Sequence, residues 1–192
     1  MKIAVNALMM VGLCTAVLTA CSSPNPAVYT IRVEEGPAVA GAPKNIELRD
    51  IGLAGYLDRP HVVRSSDGYR LQIMANDTWG EPLGGMIGRV LSVELAQRLP
   101  GSNVYGERSA ISVTADAVVE LNIQRMDVSA DGDLVLMAQA AIKFRNQPQP
   151  LTRTFTIRKP LAADTIAQGV AAASAALGEL ADGLAAMLRR QG

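Results

Sequence analysis

The clearest hydrophobic rhythm in the chain lies between residues 117 and 158, where apolar and polar side chains alternate. Ala117, Val119, Leu121 and Ile123 alternate with Glu120, Asn122 and Gln124. Leu134, Leu136, Ala138, Ala140, Ile142 and Phe144 then line one face of a second stretch. In a third, Leu151, Phe155 and Ile157 face one way, with Thr152, Thr154, Thr156 and Arg158 on the other side. Period two is the side-chain period of a strand with one buried face. Asp131-Gly132 is a hairpin turn signal, and residues 146–150 form the next turn. The pattern predicts an antiparallel three-strand meander.

Two other stretches carry a helical period. Leu83, Ile87, Leu91, Leu95 and Leu99 recur every four residues, flanked by Met86 and Val90. Pro82 suits the first helical position, and Pro100-Gly101 ends the helix. Gly84, Gly85 and Gly88 lower helix propensity there, and predict close packing of the helix backbone on a sheet. Ile166, Val170, Ala173, Leu177, Leu180, Leu184 and Met187 step by four and three along a second helix. It would run from Asp164, read as its N-cap, to Arg190, about 40 Å. Asp164, Glu179 and Asp182 interrupt its apolar run, which argues against a membrane span. Its stripe fits docking on the chain's own sheet, and its small residues would also permit approach of a neighbouring subunit.

Shorter signals fill the first half. Residues 28–33 (VYTIRV) read as a first strand, 36–43 as a loop of Gly, Pro and Ala, and 45–51 as a second strand carrying Ile46 and Leu48. Residues 62–64 extend, 65–68 turn, and 69–74 return as a strand. Asp77 to Pro82 then lead into the first helix. The sum is an α/β (α+β) domain with a mixed, partly antiparallel sheet and a long C-terminal helix.

The N-terminus has a separate logic. Met1-Lys2 is a minimal positive region, and residues 3–17 are a short apolar run. Leu18-Thr19-Ala20-Cys21 then reads as a lipobox, the motif at which a bacterial lipoprotein is acylated and cut. Residues 1–20 would be the signal peptide, 21–27 a lipidated polar tether, and 28–192 the folded domain. Diacylglycerol on the Cys21 thiol and an N-acyl chain on its freed amine would give stable attachment, because one chain alone binds marginally. Ser22, rather than Asp, after the Cys fits export to the outer membrane of a Gram-negative cell.

Composition removes most chemistry. The chain holds 18 Lys and Arg against 18 Asp and Glu, so no bulk charge pulls it toward nucleic acid. Cys14 leaves with the leader and Cys21 carries lipid, so the mature domain must be held by its core, not by disulfides. His61 is the sole histidine, which leaves Ser-His-Asp, Cys-His and histidine-based zinc sites without their parts. Neither G-x-x-x-x-G-K-[ST] nor G-x-G-x-x-G occurs. The reading is a non-enzyme with no metal and no cofactor beyond its covalent lipid. His61 reads as a solvated or partly packed side chain. Asp58-Arg59 reads as a local ion pair, or as a pair facing a partner. Trp79, the sole Trp, reads as a core anchor or as a subunit contact.

Two short blocks carry a resemblance. Tyr56-Leu57-Asp58-Arg59-Pro60 followed by His61-Val62-Val63-Arg64, and Trp79-Gly80-Glu81-Pro82-Leu83 opening a helix that ends Arg98-Leu99-Pro100, resemble the ABC-type transport auxiliary lipoproteins of the PqiC (YmbA) type. Family members often have Gln in place of His61. The resemblance covers residues 28–190 and implies a three-layer α/β/α sandwich. It also implies an outer-membrane lipoprotein that forms a ring-like homo-oligomer and docks an MCE-domain membrane protein, the periplasm-spanning conduit for lipid. Tyr56, Leu57, Asp58, Arg59, Pro60, Trp79, Glu81 and Pro82 are the expected partner or subunit interface. A lipoprotein that regulates a cell-wall synthase or assists outer-membrane protein assembly is the alternative, since such modules share small α/β folds on lipid tethers.

Overall fold

The computed structural model describes residues 25–65, 68–111 and 113–189, so the leader, the lipobox and Cys21 lie outside the described residues. In chain order the first strands are β1 (Ala27–Tyr29), β2 (Asn45–Leu48), β3 (Gly52–Leu53), β4 (His61–Ser65) and β5 (Leu71–Trp79). Helix α1 (Leu83–Arg98) and strand β6 (Asn103–Gly106) follow. Then come β7 (Ala117–Val128), β8 (Asp133–Phe144), β9 (Leu151–Pro160) and the long helix α2 (Ile166–Arg189).

The meander β7-β8-β9 forms as its alternation requires, antiparallel throughout. Gly132 takes φ 84° in the first turn, a conformation that costs a glycine nothing, and Ser129 N–H closes it on the Asp133 carbonyl at 2.8 Å. A bulge between Ile123 and Arg125 shifts the register of β7. The inward row therefore changes parity, from Leu121 and Ile123 to Met126 and Val128. Beyond the meander, β2 and β3 lie parallel to β7, and β6 lies parallel to β2, giving a six-stranded mixed sheet. A smaller sheet, β1-β5-β4, stands beside it.

The mixed α+β class, the partly antiparallel sheet and the long C-terminal helix are as expected. The layering is simpler than one helical layer on each side. Both helices share one continuous core with the inward face of the large sheet. On the outward face Asn122, Gln139 and Thr154 stand in an exposed cross-strand row. Helix α2 docks on its own sheet: Leu177, Leu180, Leu184 and Leu188 are fully buried, each contributing roughly 1.5–3 kcal/mol. Its small residues are where the sheet and α1 come close. A Cβ at Gly183 would collide with the Phe155 ring of β9.

Four sequence expectations are corrected. The strand expected over residues 28–33 pairs in a sheet only at Ala27–Tyr29, where β1 lies parallel to β5. From residue 30 the chain runs extended over the two helices, and helix side chains replace a partner strand. Ile31 N–H lies 3.2 Å from Met86 Sδ, Arg32 N–H donates to Ser174 Oγ at 3.1 Å, and Glu34 N–H donates to Glu94 Oε1 at 2.8 Å. The return strand β5 is longer than residues 69–74, running on through Trp79 because β1 and Pro60 supply its partners. At the second helix Thr165, not Asp164, is the cap. Its Oγ1 accepts Gln168 N–H at 3.2 Å, while Asp164 pairs with Arg64. Likewise Pro82 sits at the N-cap of α1, one residue before the first helical position.

Candidate docking surface

The two motif blocks stand at the two ends of the β4–β5 hairpin, whose antiparallel pairing brings them to one corner of the fold. After β3, Leu57 N–H donates to the Ala54 carbonyl at 2.8 Å and Arg59 N–H to the Leu57 carbonyl at 2.8 Å, which makes a tight double turn. Arg59 Nε donates to the Tyr56 carbonyl at 2.7 Å, so Arg59 holds the turn instead of Asp58. Trp79 N–H donates to the Pro60 carbonyl at 2.7 Å, and Gly80 N–H to the Tyr29 carbonyl at 2.8 Å. These bonds tie the Tyr56–Pro60 turn, the end of β5 and β1 together.

Most of the eight expected interface residues are occupied within the fold. Leu57 is buried in the core. The Tyr56 hydroxyl donates to Asp127 Oδ2 at 2.6 Å, and Asp127, 3% exposed, also pairs with Arg125 at 2.9 Å. Burial, then the Asp127 bond and its negative charge, push the Tyr56 hydroxyl well above the ordinary tyrosine range, so it remains a donor. Trp79 is half-buried and, with His61, lines an apolar cleft between β4, the end of β7 and the start of α2. Glu81 pairs with Arg89 of α1 at 2.5 Å. Asp58, Pro60 and Pro82 are exposed.

Asp58 and Pro82 rim an open groove floored by Gly84, Gly85 and Gly88 of α1. Gly84 and Gly88 make the close approach expected of them, to Ile51 after β2, whereas a Cβ at Gly85 would meet open space. The far wall is charged and internally paired. Arg49 bonds Glu107, and Arg108 lies 2.5 Å from Asp50. The backbone N–H of Asp50, with the Arg49 bond next, holds the Glu107 carboxyl below the usual range. Val93 and Ile111 leave 42% and 47% of their surface open along this side. The groove offers an apolar-floored contact surface with a charge-balanced wall, Arg49, Arg89 and Arg108 standing with Asp50, Asp58 and Glu107. Among the described residues no group of His, Cys, Asp or Glu could hold a metal ion.

A polar cluster that the sequence reading missed fixes the neighbouring strap. Arg98, near the end of α1, is 1% exposed; its Nε donates to Asp182 of α2 at 2.6 Å, and Nη1 and Nη2 donate to the carbonyls of Glu34 and Gly178 at 3.0 and 3.1 Å. Glu94, one turn earlier, is fully buried and accepts Glu34 N–H. Burial pushes its carboxyl up to about 7, outweighing the Glu34 bond and the Arg98 charge. The signal was present: Met86, Val90, Glu94 and Arg98 form a second i+4 row beside the leucines, and its last two members are charged.

Two solved structures share this fold. One, an uncharacterized protein, aligns over 85% of this chain and 98% of its own at 16% identity with a TM-score of 0.73. A Xanthomonas campestris protein of the DUF330 family aligns over 86% and 100% at 16% identity with a TM-score of 0.69. A dodecameric PelC from Paraburkholderia phytofirmans aligns more loosely, over 84% and 99% at 15% identity with a TM-score of 0.48. Comparison with curated proteins gives no match. The model of the ABC-type transport auxiliary lipoprotein component matches residues 29–185, which takes in both motif blocks, every strand from β2 to β9 and most of α2. The chain therefore belongs to the ABC-type transport auxiliary lipoprotein family, a lipoprotein component of transport systems.

Proposed function

We propose that this lipoprotein is the outer-membrane docking subunit of an MCE-type intermembrane lipid transport system. Cys21, carrying diacylglycerol and an N-acyl chain such as palmitate, holds the domain at the periplasmic face of the outer membrane. The domains assemble as a ring-like homo-oligomer, receive the end of the periplasm-spanning MCE conduit and so support membrane integrity. No catalytic step is assigned to the chain. Its contribution is position.

The observation that carries this reading is the convergence of the two family blocks, within a chain matched over residues 29–185, at one corner where Asp58, Pro60 and Pro82 face outward beside a groove. Tyr56, Leu57 and Arg59 then serve the surface from within, by fixing the turn that presents Asp58 and Pro60. Affinity purification of the acylated protein from solubilised membranes tests the assignment. Co-purification of an MCE-domain protein is the expected result. Recovery of a cell-wall synthase or of outer-membrane protein assembly factors, with no MCE-domain protein, would overturn it in favour of the alternative class.

A further inference from the structure

The hairpin that joins β4 to β5 has an unusual surface. Tyr69 is 97% exposed, Leu71 46% and Ile73 49%. Gln72 between them is exposed as well, and successive strand residues point to opposite faces, so both faces of β5 are open here. No element of the described chain covers this end, although its partner residues Val63 and Ser65 on β4 are buried. Three neighbouring apolar and aromatic side chains, Tyr69, Leu71 and Ile73, at the open start of β5 call for an occupant.

The direction of the chain supplies one. Strand β1 lies parallel to β5, with Ala27 opposite Asp77. Traced backward from Ala27, the chain therefore points toward the start of β5, which is the hairpin end. The distance from Asp77 to Leu71 along the strand is about 20 Å at the usual rise. The stretch from Cys21 to Ala27 can span at most about 20 Å. A bilayer holding Cys21 thus lies no farther from Ala27 than the length of the hairpin, and β1 enters the fold from the hairpin end.

We propose that Tyr69, Leu71 and Ile73, at the hairpin end of β5, rest in the phospholipid interface of the membrane that holds the acylated Cys21. This rests on the reading of Cys21 as the lipidated residue. Leu71 and Ile73 enter the upper acyl region, and Tyr69 lies at headgroup level, where an aromatic ring with a polar edge is favoured. The hairpin is then a second, non-covalent contact. It converts a flexible tether into an oriented platform and fixes which way the Asp58–Pro82 groove faces relative to the membrane.

Single nitroxide labels test this, because the acylated mature chain has no other free thiol. Tyr69→Cys, Leu71→Cys, Ile73→Cys and, as a control on the open sheet face, Gln139→Cys would be purified acylated. Each would be placed in phosphatidylethanolamine/phosphatidylglycerol vesicles. The ratio of collision with oxygen to collision with a water-soluble nickel chelate should be severalfold higher at the three tip sites than at Gln139. Equal ratios at all four sites would overturn the proposal. Protection of the tip from both reagents, with dipolar broadening between labels, would also overturn it and place a second copy of the chain there. The intact mass of each sample separates these outcomes from failure of the underlying reading: a Cys21 without acyl chains refutes the anchor itself.

Discussion

Arg98 and Asp182 join the two helices through a bond of 2.6 Å, although they are 84 positions apart and one of them is almost fully buried. The guanidinium also serves the carbonyls of Glu34 and Gly178, so a single side chain fastens α1, α2 and the strap that leads from β1. Because α1 also carries the groove floor and the strap begins beside the motif corner, this cluster sets the frame on which the docking surface sits.

Arg98→Met should cost about 1–3 kcal/mol, since it takes a buried donor from the Glu34 carbonyl and a second donor from the Gly178 carbonyl, while half-exposed Asp182 falls back on water. Asp182→Asn should cost less, because Asp182 keeps 43% of its side-chain surface in water. Urea unfolding of both single variants and the double variant should return a coupling energy of about 0.5–3 kcal/mol. Additive losses would show that the pair does not act as a unit.

The pH dependence of stability should carry the signature of Glu94. Its carboxyl is pushed up to about 7 in the folded chain from the ordinary value of 4.5. Between those values the folded chain retains a proton that the unfolded chain has released, so stability falls as pH rises through that window. The difference amounts to about 3 kcal/mol in all. Glu94→Gln should flatten this slope and be the more stable protein at pH 8, while differing little at pH 5. Parallel slopes for the two proteins would show that Glu94 is not the group responsible.

Tyr56→Phe removes the donor to buried Asp127 and should lower stability by about 1–3 kcal/mol. Partner capture at a temperature where the variant remains folded should be unchanged, because the Tyr56 hydroxyl points inward. Asp58→Lys should do the reverse, leaving the unfolding free energy within about 0.5 kcal/mol of wild type while weakening capture. Loss of capture in folded Tyr56→Phe with none in Asp58→Lys would place the contact elsewhere.

Gly183→Ala should destabilise the domain by about 1–3 kcal/mol through overpacking against Phe155, and Phe155→Leu in the same chain should recover part of the loss. Thermal melts of the three variants decide it. Absence of recovery would mean that the ring is not what the added methyl meets.

These relationships differ in how far the chain announces them. The meander and α2 were legible because one buried face imposes period two on a strand and a three-four step on a helix. Val119, Ile142, Leu177 and Leu184 obey that rule without exception. Residues 30–33 carry the same β-branched pattern and yet make no ladder, because the backbone partners of Ile31, Arg32 and the following Glu34 are Met86, Ser174 and Glu94, which only the folded chain brings near. The parallel strands β3 and β6 are too short for a period to register. Gln124 sits at a bulge that reverses inward and outward, so Met126 and Val128 look misplaced until the register shift is seen. At the candidate surface both motif blocks were legible as a corner of interest. Their division into inward Tyr56, Leu57 and Arg59 and outward Asp58, Pro60 and Pro82 was not, because it depends on Asp127 and on the Tyr56 carbonyl.

The most direct test of the docking role is a photo-crosslinking amino acid at position 58, introduced into the acylated protein in living cells, with Gln139 of the open sheet face as the comparison site. Crosslinking from position 58 to an MCE-domain protein, well above that from position 139, is the predicted result. Crosslinking to a cell-wall synthase or an outer-membrane assembly factor, or equal crosslinking from both positions, would contradict it.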